Sequence, residues 1–530
     1  MKRFIAMLVP LSLACANEPR SDAAPATTSA TESRAAGALL AVRVDAGALE
    51  GARGSNSALS VFRGIPYAAP PVGDRRWRPP EPPSPWTGTR SAAAFSRSCV
   101  QRVQRRLLPW TEEYMPQGEM SEDCLALNVW TGAASDAERR PVLVYIHGGA
   151  YTGGSGDVLL YDGEALAARG VVVVTLNYRV GIFGFFAHPE LSEQSGHDAS
   201  GNYGLLDQIA ALGWVQRNIA AFGGDPQNVT VAGQSAGAGS VHLLTASPLA
   251  RGLFRRAIAQ SGPWDRRQRL PQRAEAEKVG LELAHGRPLA ALRALPAEAL
   301  RDEALAAGAQ TRPIVDGWVL PDQVSALYER GQQSDVPLLT GLTADEESSQ
   351  GWYGTLDAKG FEELVQKRFP ERTKDLLARY AGPAHANLSE SQKQLSRDEG
   401  LTKLRAWREM RSKSGRASDY AYYFERAIPW PEQPRYQAFH SAELPYVFDN
   451  LQKLDRPWEP IDRELANTMA SYWVNFIRSG DPNGPGLPAW PSDRQQVLRL
   501  GARVRAELLP EAGALALMAG RFSGSEPATR

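Results

Sequence analysis

Two uninterrupted apolar runs constrain this chain more than any other feature. PVLVYI at 141–146 and VVVVTLN at 171–177 lack the polar alternation of a half-exposed strand. Runs of this kind suit strands buried on both faces of a mostly parallel sheet. The segment 205–219 (LLDQIAALGWVQRNI) changes period, with apolar residues at 205, 206, 209, 212, 215 and 219. That is the spacing of one helical face. Shorter strand-like pieces occur at 41–44, 60–63, 124–130, 229–232, 253–260 and 336–340. Strand alternating with helix predicts an α/β fold, with a central mostly parallel sheet flanked by helices. Residues 266–310 and 358–416 are rich in helix formers and charge, and read as helical insertions capping one end of that sheet. With no strong linker after residue 38, residues 39–530 are expected to form a single domain.

One junction in this pattern carries chemistry. NVTVAGQSAGAGS at 228–240 runs from a β-branched strand into small residues where a helix begins, with Ser235 between Gly233 and Gly237. A tight structural turn is one reading. The other is a nucleophile elbow, in which a strained strand-to-helix turn presents the serine hydroxyl to a cleft.

A serine hydroxyl needs a base, a group to orient that base, and donors for the developing oxyanion. On such a sheet the order along the chain is Ser, acid, His. Of seven histidines, His385 and His440 lie downstream of a plausible acid strand. His385 lies in a polar loop, whereas His440 lies in YQAFHSAELPYVF, bracketed by aromatic and apolar residues that would exclude water. The strand at 336–340 leads into GLTADEESS, where Asp345, Glu346 and Glu347 all qualify by chemistry. An acidic helix start favoured by the macrodipole is the alternative there. Gly148 and Gly149 follow the strand at 141–146 and could turn backbone amides toward a cavity, and the Ala236 amide would complete the donor set.

Charge narrows the partners. Lys plus Arg and Asp plus Glu are equal at 59 each, which gives no electrostatic reason to expect nucleic acid. The basic stretch at 102–106 reads as a solvated loop. At the N-terminus, Lys2 and Arg3 precede an apolar run at 4–14 that is too short to span a bilayer. Residues 1–16 therefore read as an export signal. Ser12-Leu13-Ala14-Cys15 is similar to a lipoprotein box, making Cys15 a candidate lipidation site, while Ala14-Cys15-Ala16 also fits ordinary signal cleavage. Residues 17–38 carry no aromatics or apolar periodicity and read as a disordered tether. The expected location is outside the cytoplasm, as a periplasmic or surface lipoprotein with a membrane tether, or as a secreted protein. Cys99 and Cys124 then remain as an even pair in an oxidising compartment, expected to form a disulfide, with two buried thiols as the alternative.

Several blocks together resemble the type-B carboxylesterases, the α/β-hydrolase family that also contains cholinesterases and bacterial para-nitrobenzyl esterases. They include FGGDPQNVTVAGQSAG (222–237), SEDCLALNVW (121–130), FRGIPYAAPPVGDRRWRPP (62–80), YIHGGAYTGGS (145–155) and FHSAELPYVF (439–448), and the resemblance runs from about residue 40 to 495. It implies an α/β-hydrolase fold and ester hydrolysis by a Ser-His-Glu triad through an acyl-enzyme, with no metal or organic cofactor. Ser235 matches the nucleophile and His440 the base, and Gly341 sets a register that makes Glu346 the acid. Glu347 stands where the family pattern has glycine. Gly148, Gly149 and Ala236 match the oxyanion amides, Cys99 and Cys124 a disulfide at the gorge rim, and Arg76 and Glu122 a buried ion pair. Ser261 matches a serine beside the acid.

The expected partner is a small-molecule ester. Three arginines in the 99–124 loop make choline esters poor candidates. Cleavage of carbamates, amides or lactones on the same machinery, and a non-catalytic adhesion role, are the alternatives.

Overall fold

The computed structural model describes residues 38–103, 107–381, 387–509 and 513–523. The expected signal at 1–16, Cys15, the tether up to residue 37, and His385 lie outside the described residues.

The apolar runs form the centre of an eleven-stranded sheet. In chain order its strands are β1 (Ala52–Arg53), β2 (Ser60–Pro66), β3 (Ala126–Thr131), β4 (Arg140–Ile146), β5 (Val172–Leu176) and β6 (Gly224–Gln234). Then come β7 (Arg256–Gln260), β8 (Leu338–Thr343), β9 (Asp419–Phe424), β10 (Gln496–Leu500) and β11 (Arg505–Leu508). They lie in the order β11-β10-β9-β8-β7-β6-β4-β5-β3-β2-β1. Neighbours from β10 through β5 pair in parallel, whereas the strands at both margins pair antiparallel. Every residue of β5 is buried, as is β4 from Val142 onward, because helices cover both faces.

Helix α1 (Tyr203–Asn218) forms as its spacing predicts, but it buries more than one face. It is wedged among β6, the short helix Gly181–Phe185 and α2 (Ala236–Ala246), so Asp207 and Gln208 are as buried as Leu205. The segment 266–310 folds into helices that include α3 (Ala297–Ala306), and the stretch at 358–416 includes the long helix α4 (Leu388–Ser414). The final strands β9 to β11 extend the sheet beyond the last strand visible as an apolar run.

Parallel pairing fixes the site's location. Loops that leave β4, β6, β8 and β9 emerge at one edge of the sheet, the edge where open α/β sheets place their functional crevices. Those loops carry Gly148–Gly149, Ser235, Glu346 and His440 respectively.

Candidate active site

Strand β6 ends at Gln234 and α2 begins at Ala236, which leaves Ser235 alone to make the turn. Its backbone stands at φ 60°, ψ −123°, a left-handed conformation that is costly for a residue with a Cβ. The flanking glycines are required by close approach. A Cβ on Gly233 would meet the Gly237 carbonyl at 2.5 Å, and one on Gly237 would meet the Ile146 oxygen at 2.2 Å. The bland turn of the sequence reading is thus a strained elbow, held because β4 and the start of α2 touch across it.

Ser235 and His440 line one cavity of about 550 Å³, together with Gly148 and Gly149. On its far side, His440 Nδ1 hydrogen-bonds Glu346 Oε2, while Nε2 is approached by the Gln234 side-chain amide at 3.2 Å. An Nδ1–H donated to the carboxylate leaves the Nε2 lone pair to accept from Gln234, the tautomer a general base requires. Burial, the largest single influence, pulls the imidazole toward neutrality, but the Glu346 charge, its hydrogen bond and the Glu443 charge together outweigh it and raise the His440 pKa above its ordinary value. For Glu346, burial pushes upward, yet His440, Ser261 and the Thr343 amide hold the carboxyl below its usual range. The Thr343 N–H donates to Glu346 Oε1 at 2.8 Å.

The three neighbouring carboxylates part company here. Asp345 Oδ1 accepts from Arg397 at 2.8 Å and from the Tyr353 hydroxyl at 2.6 Å. Its backbone N–H donates to the Ala438 oxygen at 3.0 Å, which ties the acid loop to the histidine loop. Glu347 pairs with Arg368 and accepts from Ser396 Oγ. Among them only Glu346 contacts the imidazole. Ser261 is buried beside it in a left-handed turn, without a well-formed hydrogen bond from its own hydroxyl.

The turn after β4 is built by the HGGA residues. Gly149 adopts φ 114°, and a Cβ there would meet the Gly153 oxygen at 2.2 Å. His147 stacks on Tyr178 at 4.3 Å and contacts the Gly148 oxygen through Nδ1 at 2.8 Å. Burial lowers its pKa to about 4, so it is a neutral brace for this turn. The Gly149 and Ala236 amides donate to no acceptor among the described residues, and the Gly148 amide lies against the buried Tyr161 phenol.

The rim is made by the 99–124 loop. Cys99 and Cys124 form a disulfide, and Arg76 binds Glu122 in a two-pronged pair at 2.7 and 2.5 Å. Arg76 also donates to the Leu292 and Leu295 oxygens, joining the rim to the helical insertion.

Three contacts escape a reading of the sequence. Trp110 donates to the His440 backbone, Gln234 reaches Nε2, and Glu443 is buried behind the pair with its pKa pushed up to about 7 by burial and Glu346. Only Glu443 leaves a trace, as an acid within the apolar 439–448 block.

A doubly wound sheet with a serine elbow, a histidine–carboxylate pair and a glycine turn at one edge defines an α/β hydrolase. Residues 39–512 match the model of the Carboxylesterase family, and the chain belongs to it. It is 38% identical over 481 residues to a para-nitrobenzyl esterase of Bacillus subtilis, covering 85% of this chain and 93% of that one. It is 37% identical over 480 residues to a fumonisin B1 esterase of Sphingopyxis macrogoltabida, covering 86% of each. A human cocaine esterase is 35% identical over 500 residues, again covering 86% of each. The protein is a carboxylic ester hydrolase. No described helix is long and apolar enough to cross a membrane.

Proposed function

We propose that the chain hydrolyses small-molecule carboxylic esters through an acyl-enzyme formed on Ser235. His440 removes the hydroxyl proton through Nε2 as Ser235 attacks the carbonyl carbon. Glu346 fixes the tautomer and stabilises the imidazolium that forms. The tetrahedral oxyanion is received by the amides of Gly148, Gly149 and Ala236, which binds the transition state better than the planar ester. His440 then gives its proton to the leaving alcohol, water attacks the acyl-enzyme by the same route, and Ser235 is restored.

The observation that carries this reading is the pairing of His440 Nδ1 with Glu346 while its ring shares a cavity with Ser235 on a strained elbow. A fluorophosphonate should label Ser235 stoichiometrically, and Ser235→Ala should retain no more than a trace of 4-nitrophenyl butyrate hydrolysis. A folded chain that takes no label overturns the reading.

The same proposal places the catalytic domain at 39–530, behind a signal at 1–16 and a tether at 17–38, with Cys15 lipidated and the enzyme exported. The disulfide supports an oxidising compartment. Mass spectrometry of the mature N-terminus tests this: diacylglyceryl on Cys15 is expected, and a free end after Ala16 excludes the lipid anchor.

A further inference from the structure

The cavity that holds Ser235 is mostly apolar, with Trp110, Tyr114, Phe183 and Leu444 among its walls. Two charged side chains also line it, Arg102 from the disulfide loop and Arg301 from α3, and among the described residues no aspartate or glutamate does. Arg301 shares a face of α3 with Ala304 and Leu305, at the i+3 and i+4 positions that turn one helical face to the cavity. It is anchored without being used up. Its Nε donates to Asp302 at 2.8 Å and its Nη1 to the Gln101 oxygen at 3.4 Å, while Nη2 has no acceptor among the described residues. Arg102 has no ion-pair partner among them. Asp302 faces both guanidiniums, with Glu298 adding a weaker attraction on Arg301, but neither carboxylate lines the cavity and the Asp302 side chain is 64% exposed to solvent.

A guanidinium is more weakly hydrated than an ammonium and presents a planar fork suited to a carboxylate. A cation bound there would meet like charge at short range, which disfavours ammonium-bearing substrates. We infer that the preferred substrates are anionic esters, whose acyl chain or alcohol ends in a carboxylate that Arg301 and Arg102 receive while Ser235 faces the ester bond. This inference rests on the proposed role of Ser235 and adds the chemical class of substrate.

The test compares matched pairs that differ only in charge. Mono-4-nitrophenyl adipate against its terminal carboxamide, 4-nitrophenyl adipamate, probes the acyl arm, and the butyrate esters of 4-hydroxybenzoate and 4-hydroxybenzamide probe the alcohol arm. In one of the two pairs the anionic member should show kcat/KM higher by about tenfold at low salt, the scale of one charge-assisted hydrogen bond. That ratio should shrink as ionic strength rises from about 0.01 to 0.5 M, as the Debye length falls. Arg301→Gln should bring the ratio toward one, and Arg301→Lys should recover part of it. Neutral esters hydrolysed as fast as or faster than anionic ones in both pairs, with Ser235 labelled, overturn the inference and leave the ester-hydrolase reading standing. No hydrolysis of any ester, together with no labelling of Ser235, overturns both.

Discussion

The indole Nε1–H of Trp110 donates to the backbone oxygen of His440 at 3.1 Å, and the two rings meet edge to face at 6.2 Å. The same N–H lies 3.3 Å from Ser441 Oγ, at a residue whose φ is 82°. The disulfide loop thus reaches across the cavity and grips the strained turn that carries the imidazole. Trp110→Phe keeps a ring and loses the donor. Loss of one neutral hydrogen bond, about 1 kcal/mol, should lower kcat about fivefold with little change in KM. Steady-state kinetics on a neutral ester checks this, and an unchanged kcat would show that the grip is not needed.

The disulfide should be felt in both stability and activity. Replacing Cys99 and Cys124 by serine releases a 25-residue loop, with an expected cost of about 3 kcal/mol from loop-closure entropy. Thermal melts with and without reductant measure the cost. Because Trp110 travels with the loop, kcat should fall along with stability. A melt shifted at full kcat would mean that the loop keeps its place without the bridge.

Gln234 presents a neutral donor to His440 Nε2. Only neutral imidazole can act as base, so kcat/KM should rise with pH through the His440 pKa, which lies above its ordinary value. Gln234→Glu would add a further carboxylate to Glu346 and Glu443 around the ring and favour imidazolium. The acid limb should move upward by about one pH unit. Activity at pH 6 should fall more than activity at pH 9, and a limb that moves downward contradicts this electrostatic account.

Much of this site was legible because its parts are local. The elbow, the HGGA turn and the 439–448 block are short stretches whose spacing is set by backbone chemistry, and they name Ser235, Gly148, Gly149 and His440 directly. The strand at 336–340 leads to the segment whose carboxylate contacts His440, but Asp345, Glu346 and Glu347 are equivalent as chemistry. What separates them is direction: the Asp345 backbone pairs with Ala438, its side chain turns to Arg397, and Glu347 turns to Arg368. Trp110 and His440 lie 330 positions apart, so no local pattern records their contact. The last strands were missed for a different reason. DYAYYF at 419–424 is buried throughout, but it follows directly on a long charged helix that dominated the reading of that region.

Gly237 offers a steric test of the elbow. A Cβ there would fall 2.2 Å from the Ile146 oxygen, and backbone cannot move aside as a flexible side chain can. Gly237→Ala should push the start of α2 away from β4 and displace the Ala236 amide. Loss of one oxyanion donor predicts a fall in kcat of about 10² to 10³. Fluorophosphonate labelling should slow in parallel, since the probe needs the same amide. Wild-type kinetics with the alanine in place would mean that the turn tolerates the methyl group.

Glu346 and Asp345 should separate chemistry from stability. Glu346→Gln keeps the shape but removes the charge that raises the His440 pKa and selects its tautomer. By analogy with the corresponding change in the serine-protease triad, kcat should fall by about 10⁴. The residual activity should have its acid limb at lower pH, because burial is then opposed only by the weaker Glu443 charge. Asp345→Asn leaves the His440–Glu346 contact intact and strips Arg397 of a buried partner, and that half-paired charge should cost about 3 kcal/mol of stability. Linkage gives a further sign. The Glu346 pKa is lower folded than unfolded, so its contribution is present above the unfolded value and is lost as pH falls through the folded one. His440 acts oppositely: its pKa is higher folded than unfolded, so its contribution is present below the unfolded value and is lost as pH rises through the folded one. Melts of the parent and Glu346→Gln should therefore differ most between the unfolded values of 4.5 and 6.5, draw together as pH rises through the His440 pKa, and converge again only below the folded Glu346 pKa. An Asp345→Asn enzyme that loses as much kcat as Glu346→Gln would instead assign the orienting role to Asp345.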